Sequence, residues 1–255
     1  MDQTPLSGIV ITGASSGIGA ALAELYAAPG ILLALTGRDA GRLDEVAERC
    51  RGRGAMVIAE TVPVTDADAM RGLLTRVVAA ARLDLVVANA GVSGGFKSWD
   101  DFDAYVRSIT SVNIDGVLNT VNPAIPIMAR QHAGQIAIVA SMAGFLAMPG
   151  AVPYSATKHF ARAYAEELRG RLAPVGIRVS AICPGFVVSR MTARNKFPMP
   201  FLMDTEKAAR IIRDGLAKDR GRIAFPWPMV AIMRVLGLLP YPLLDWLLRR
   251  APGKD

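Results

Sequence analysis

The chain has 255 residues, 52% of them apolar and 20% charged, a balance that excludes intrinsic disorder and allows one sizeable core, so a single domain over residues 1–255 is expected. Its net charge of +7 is unevenly placed, since residues 1–189 carry 16 basic and 16 acidic side chains whereas residues 190–255 carry 13 and 6. With the excess confined to that end and no base-stacking pattern beside it, the charge reads as a local surface property, and no nucleic-acid partner is expected.

Residues 1–7 lack the basic stretch of a signal peptide. Cys50 and Cys183 are too few for a disulfide framework or a cysteine zinc site, which suits the cytoplasm. Short apolar, β-branched runs at 8–12, 31–36, 55–60, 83–88, 135–140 and 177–182 read as buried parallel strands. Between them, 18–28, 40–51, 66–81, 111–130 and 154–172 have helical length and composition. This βαβ alternation predicts an α/β fold with one doubly wound, Rossmann-type parallel sheet and helices on both faces. Ligands of such sheets bind beyond the carboxyl ends of the strands, where Gly13, Asn89, Ser141 and Pro184 all fall.

The first of these loops runs Thr12, Gly13, Ala14, Ser15, Ser16, Gly17, Ile18, Gly19 into a helix. Glycine removes the Cβ that would block a pyrophosphate, and the helix N-terminus offers free N–H groups. The spacing is not that of G-x-G-x-x-G, so alone it remains equally a plain Gly-rich turn. The second strand ends in Thr36, Gly37 and Arg38, with a cation where NAD-binding sheets carry an acid for the ribose 2′-hydroxyl. This favours NADP(H) over NAD(H), with Ser15 and Arg42 as lesser contacts to the 2′-phosphate and Asp39 weighing against.

Tyr154 and Lys158 share one helix face a turn apart. An ammonium there would favour the phenolate and bring a phenol that ordinarily titrates at about 10 toward neutrality. Ser141 lies thirteen residues earlier, just past a strand, and Asn113 lies in the preceding helix.

With these motifs in order, the chain resembles the classical short-chain dehydrogenase/reductase family over residues 8–190: the glycine loop, Asn89-Ala90-Gly91, Ser141, Tyr154 with Lys158, and Pro184-Gly185. The resemblance implies that Tyr154 protonates a carbonyl oxygen as hydride arrives and that Ser141 holds this oxygen. It implies that Lys158 tunes the phenol and grips the ribose, and that Asn113 interrupts its helix to hold a proton-relaying water. Asn89, Ala90 and Gly91 would lie on the adenosine side, while Val187 and Ser189, after Pro184-Gly185, would meet the carboxamide. No metal is implied, and a homodimer or homotetramer through the helices at Ser111 and Tyr154 is.

Three positions depart from the family pattern. Ala88 replaces an asparagine, Pro63 replaces the aspartate that bonds adenine and leaves that contact to the Val64 backbone, and Ser189 replaces a threonine. His132 and His159 have no companion ligands and read as surface or helix residues. Met128, Met142 and Met148 read as core or pocket wall, the last two near the substrate.

Residues 186–204, with Phe186, Met191, Phe197, Met199, Phe201 and Met203 among prolines, read as a substrate lid suited to an apolar compound, or as a loop packed on the domain. A helix capped by Asp204 or Thr205 then runs to about Lys218. Residues 225–255 read as an apolar helical extension with two short helices, 229–239 and 243–248, interrupted by Pro240 and Pro242. Neither helix has the roughly 20 residues that span a bilayer. With Trp227, Tyr241, Trp246, Arg249 and Arg250, residues 225–250 fit a peripheral membrane contact, a cover over the pocket, or an oligomer seal. The expected activity is an NADP(H)-dependent oxidoreductase of a hydrophobic ketone, aldehyde or secondary alcohol. The alternatives are an idle NADPH-binding protein and a dehydratase or epimerase on the same fold.

Overall fold

The computed structural model describes residues 7–95, 98–148, 152–195 and 197–248, so Arg249 and Arg250 lie outside the described residues. Seven parallel strands form one sheet in the order β3-β2-β1-β4-β5-β6-β7. They are β1 (Gly8–Ile11), β2 (Leu32–Thr36), β3 (Met56–Glu60), β4 (Leu83–Ala88), β5 (Gly134–Val139), β6 (Ile177–Pro184) and β7 (Arg222–Phe225). Side chains alternate across the sheet. Ile9, Ile11, Leu33 and Leu35 pack in one fully buried layer, and Val10, Ala34, Val86 and Ile136 pack in the other. Burial on both faces is why these strands read as continuous apolar runs.

Helices α1 (Gly17–Tyr26), α2 (Ala40–Arg51) and α3 (Ala67–Ala80) follow the first three strands as expected. Asp39 and Asp66 cap α2 and α3 by accepting from the Arg42 and Ala69 backbone N–H groups. The chain then crosses back to pair β4 with β1, so strand order reverses between these two and their loops flank the crevice.

The single helix expected over 111–130 is instead three pieces: a π-helical segment Ser111–Asp115, α5 (Gly116–Val121) and α6 (Ala124–Gln131). Pro123, which has no N–H to donate, separates α5 from α6. A further helix, α4 (Phe102–Thr110), precedes the π segment and was not expected, nor was the four-residue strand β7, too short for its alternation to register. Helix α7 (Tyr154–Leu172) has the expected bounds, and α8 (Thr205–Ala217) is capped by Asp204, which accepts from the Glu206 and Lys207 N–H groups. Helices α9 (Trp227–Leu236) and α10 (Tyr241–Leu248) form the C-terminal extension. Among the described residues, no helix is long and apolar enough to cross a membrane.

Candidate active site

A cleft of about 730 Å³ opens at the carboxyl edge of the sheet. At one end lies the loop from β1 to α1. Gly13 has φ +67°, and a Cβ there would stand 2.9 Å from Ala90 Cα. At Gly19 a Cβ would come within 2.4 Å of the Gly13 carbonyl oxygen, so the first turn of α1 packs too closely on the loop for any side chain. Ser16 precedes α1 without capping it, leaving the first N–H groups of the helix for an anion in the cleft.

Asn89 serves this loop more directly than expected. Its Nδ2 donates to the carbonyls of Thr12 (2.9 Å) and Gly13 (3.2 Å), and its backbone N–H donates to the Thr12 hydroxyl at 3.1 Å. The side chain is thus a clasp between the loops after β1 and β4. Ala90, Gly91, Pro63 and Val64 line the cleft. The Val64 carbonyl accepts from Asn119 Nδ2 at 3.0 Å.

Past β2, Arg38 is exposed along the cleft wall and has no ion pair among the described residues. Asp39 does not oppose it. That carboxylate caps α2 and pairs with Arg42 at 2.6 Å, and Arg42 does not line the cleft, so its expected phosphate contact is lost to Asp39. Ser15 stands at the wall against Gly37, where a Cβ would meet Ser15 Cβ at 2.7 Å.

At the other end of the cleft, Ser141, Tyr154 and Lys158 converge from β5 and α7. Lys158 is buried; its Nζ donates to the Val139 carbonyl at 2.8 Å and lies 5.7 Å from the centroid of the Tyr154 ring. Burial pushes the ammonium down to about 8. Burial also raises Tyr154, and the hydrogen bond from Ser141 only partly opposes this. The net direction in the chain alone is therefore upward, opposite to the expected shift toward neutrality, with desolvation the largest cause.

Asn113 is fully buried in the π segment, and its side chain is committed. Its Oδ1 accepts from the Val92 N–H (2.8 Å), while Nδ2 donates to the Val92 carbonyl and the Thr157 hydroxyl, both at 3.0 Å. It clamps the loop after β4 to α7, so a relayed water would have to meet the remaining lone pair or the backbone. Gly91 allows the approach, since a Cβ there would stand 3.3 Å from Asn113 Oδ1 and 3.4 Å from Lys158 Nζ. Ser155 escaped the sequence reading. Its single hydroxyl proton is shared between the carbonyls of Ala143 (2.8 Å) and Leu146 (3.0 Å), pinning the loop that carries Ser141 to the first turn of α7. A lone serine beside the tyrosine gave no periodic signal.

The segment after β6 is anchored by a bridge between Val187 and Met203. Phe186, Met191, Phe197 and Phe201 line the cleft, with Phe186 edge-on to Phe197 at 6.0 Å, whereas Met203 packs toward the core and Met199 sulfur accepts from Asn195. Met142 and Met148 also line the cleft, and Met128 is core. Pro184 and Gly185 reach its floor. Ser189 lines the cleft, and its hydroxyl bonds to the Thr192 hydroxyl (3.1 Å) and accepts from the Thr192 N–H (3.2 Å). His132 is an exposed left-handed helix terminus, and His159 Nδ1 sits 2.9 Å from the Ser155 carbonyl on α7.

A family model described as short chain dehydrogenase matches residues 7–198. The chain belongs to the short-chain dehydrogenase/reductase family. The chain is 37% identical over 246 residues to an uncharacterised oxidoreductase of Myxococcus xanthus, covering 94% of this chain and 96% of the relative. It is 32% identical over 194 residues to a 3-oxoacyl-acyl-carrier-protein reductase of Thermotoga maritima, covering 72% and 76%. Among solved structures it is similar to a Burkholderia phymatum short-chain dehydrogenase/reductase in complex with NAD, with TM-score 0.84, 27% identity and 100% and 99% coverage. It is also similar to a Sphingobium yanoikuyae short-chain dehydrogenase in complex with NADPH, with TM-score 0.81, 25% identity and 98% of each chain covered. The enzyme is thus an NAD(P)-dependent oxidoreductase acting on CH–OH and C=O groups. A dinucleotide suits the residues present: a glycine cradle that a Cβ would fill, an uncapped helix N-terminus and an exposed arginine on the cleft wall.

Proposed function

We propose that this reductase transfers hydride between NADP(H) and an apolar ketone, aldehyde or secondary alcohol, with Tyr154 giving or taking the proton of the substrate oxygen. The observation that carries this reading is the hydrogen bond joining Ser141 to Tyr154 in the cleft that Phe186, Phe197 and Phe201 also line. Nicotinamide, when bound, supplies or accepts the hydride. Tyr154 then delivers its proton to the developing alkoxide, Ser141 donates a hydrogen bond to that oxygen, and solvent reprotonates the phenolate. Lys158 would hold the ribose hydroxyls. Its charge stabilises the phenolate once formed, and burial in the resting enzyme keeps the phenol protonated and ready as an acid. Asn113 and Ser155 fix the two loops on which this geometry rests.

The NADP(H) preference is supported by Arg38, whose acidic neighbour Asp39 is occupied by Arg42. Self-association through α7 is supported by the half-buried, stacked rings of Phe160 and Tyr164, 5.5 Å apart, and gel filtration checks it. The decisive experiment follows nicotinamide absorbance with NADPH and NADH over a panel of apolar and polar ketones. Consumption of NADPH in proportion to an apolar ketone is the expected result. Tight NADPH binding without turnover of any carbonyl would favour an idle binding protein, and product formation without net cofactor change would favour a dehydratase or epimerase.

A further inference from the structure

Helix α9 is apolar on two opposite sides. Met229 is buried in the core and Met233 packs against it. On the other side Trp227, Ala231, Arg234, Val235 and, two residues beyond the helix end, Leu238 follow at helical spacing. Trp227, Val235 and Leu238 are 79%, 62% and 85% exposed. Helix α10 continues the surface, with Tyr241 76% and Trp246 53% exposed and no buried residue of its own. An outward helix face normally carries charge, and an apolar patch of this extent on a soluble chain marks a contact surface.

The composition of the patch selects the occupant. Its apolar side chains include two tryptophans and a tyrosine, side chains that settle at the headgroup level of a bilayer. The one charge on α9 is Arg234, exposed among them, and the chain from residue 190 onward has 13 basic against 6 acidic residues. That balance complements anionic headgroups, to which an arginine can snorkel while its neighbours stay in the acyl boundary. A second copy is the poorer match, since α9 offers no acid to a facing Arg234 and Asp245 of α10 already has an interaction within the chain.

We propose that the outer face of α9 and α10 docks this enzyme on an anionic lipid bilayer, with the mouth of the cleft at the lipid boundary. Ile232 and Phe201 join the two features, each lining the cleft while remaining 48% and 49% exposed. An apolar molecule dissolved in the bilayer could thereby enter the cleft without crossing bulk water. The docking surface excludes the catalytic groups, so failure of a carbonyl assay and failure of docking are separate results.

The test is co-sedimentation of the full chain with vesicles of phosphatidylcholine and of equal parts phosphatidylcholine and phosphatidylglycerol, compared with a Trp227→Ser, Leu238→Glu double variant and with Arg234→Glu. The wild type should sediment with the anionic vesicles, the double variant should lose roughly tenfold or more of that partitioning, and Arg234→Glu should weaken binding to the anionic vesicles alone. Quenching of the unaltered chain's tryptophan emission by brominated phosphatidylcholine mixed with phosphatidylglycerol is the second expected result, and it requires no variant to fold. Equal recovery with and without lipid would overturn the proposal. Light scattering that shows a larger assembly dissociated by the double variant, without vesicle binding, would overturn it in favour of a second copy.

Discussion

Lys158 Nζ donates to the carbonyl of Val139 across a distance of 2.8 Å, tying the last residue of β5 to the helix that carries Tyr154. The bond orients the ammonium under the cleft floor, and burial there holds its proton less tightly than water would. A buried cation of this kind makes folding depend on pH.

The first prediction follows from that dependence. Lys158 titrates at about 8 when folded and at 10.5 when unfolded. Below pH 8 both states hold the proton and the cost of burying it is fully present; above it the unfolded chain still binds a proton that the folded chain has released, so stability rises with pH. The lysine's contribution should be roughly 1.4 kcal/mol per pH unit within that window. Cys50 and Cys183, pushed by burial from 9.0 to about 11 and about 12, act in the opposite sense from pH 9 upward. The interval from pH 8 to 9 is therefore the cleanest. Urea midpoints of wild type and Lys158→Met measured across it should diverge, the wild type gaining stability relative to the variant. Parallel curves would show that the ammonium carries no burial cost.

Tyr154→Phe keeps the ring in the cleft and removes only the proton donor. Cofactor binding, read by NADPH fluorescence, should change little, while kcat should fall on the order of 10²-fold or more. Turnover near the wild-type value would remove the tyrosine from its proposed role.

Arg38→Asp places an acid beside the end of β2. A lost charge-assisted contact to phosphate is worth about 1.5 to 3 kcal/mol, so the ratio of kcat/KM for NADPH over NADH should drop by roughly tenfold to a hundredfold. An unchanged ratio would leave the phosphate assignment without support.

Gly19→Ala sets a methyl group 2.4 Å from the Gly13 oxygen and 2.6 Å from Asn89 Nδ2. The loop must shift and the clasp from Asn89 must open, at a cost of about 1 to 3 kcal/mol. Thermal denaturation with and without NADPH measures this: the melting temperature should fall, and the stabilisation by NADPH should shrink with it.

Much of the molecule was legible in short windows of sequence. Six strands appear within two residues of their expected ends because each is a short apolar run, five of them largely buried and β3 a half-exposed edge strand, and Tyr154 and Lys158 share a site because four residues make about one helical turn. The helix expected over 111–130 was drawn too long because its composition stayed helical through Pro123, although a proline there denies the backbone a donor. Strand β7 went unseen because four residues, Arg222–Phe225, are too few to display a period.

From sequence alone came the doubly wound class of the sheet and the glycine loop, which rest on local stereochemistry; the grouping of Asn113, Ser141, Tyr154 and Lys158 came from the family resemblance, since only the last two share a helix. Only tertiary structure decided what each polar side chain touches. Asn89 meets Thr12 from 77 positions away and Asn113 meets Thr157 from 44, so each also clasps two distant segments together. The direction of the Tyr154 shift belongs to the same class, because desolvation is imposed by everything packed around a group, and no window of neighbouring residues contains it.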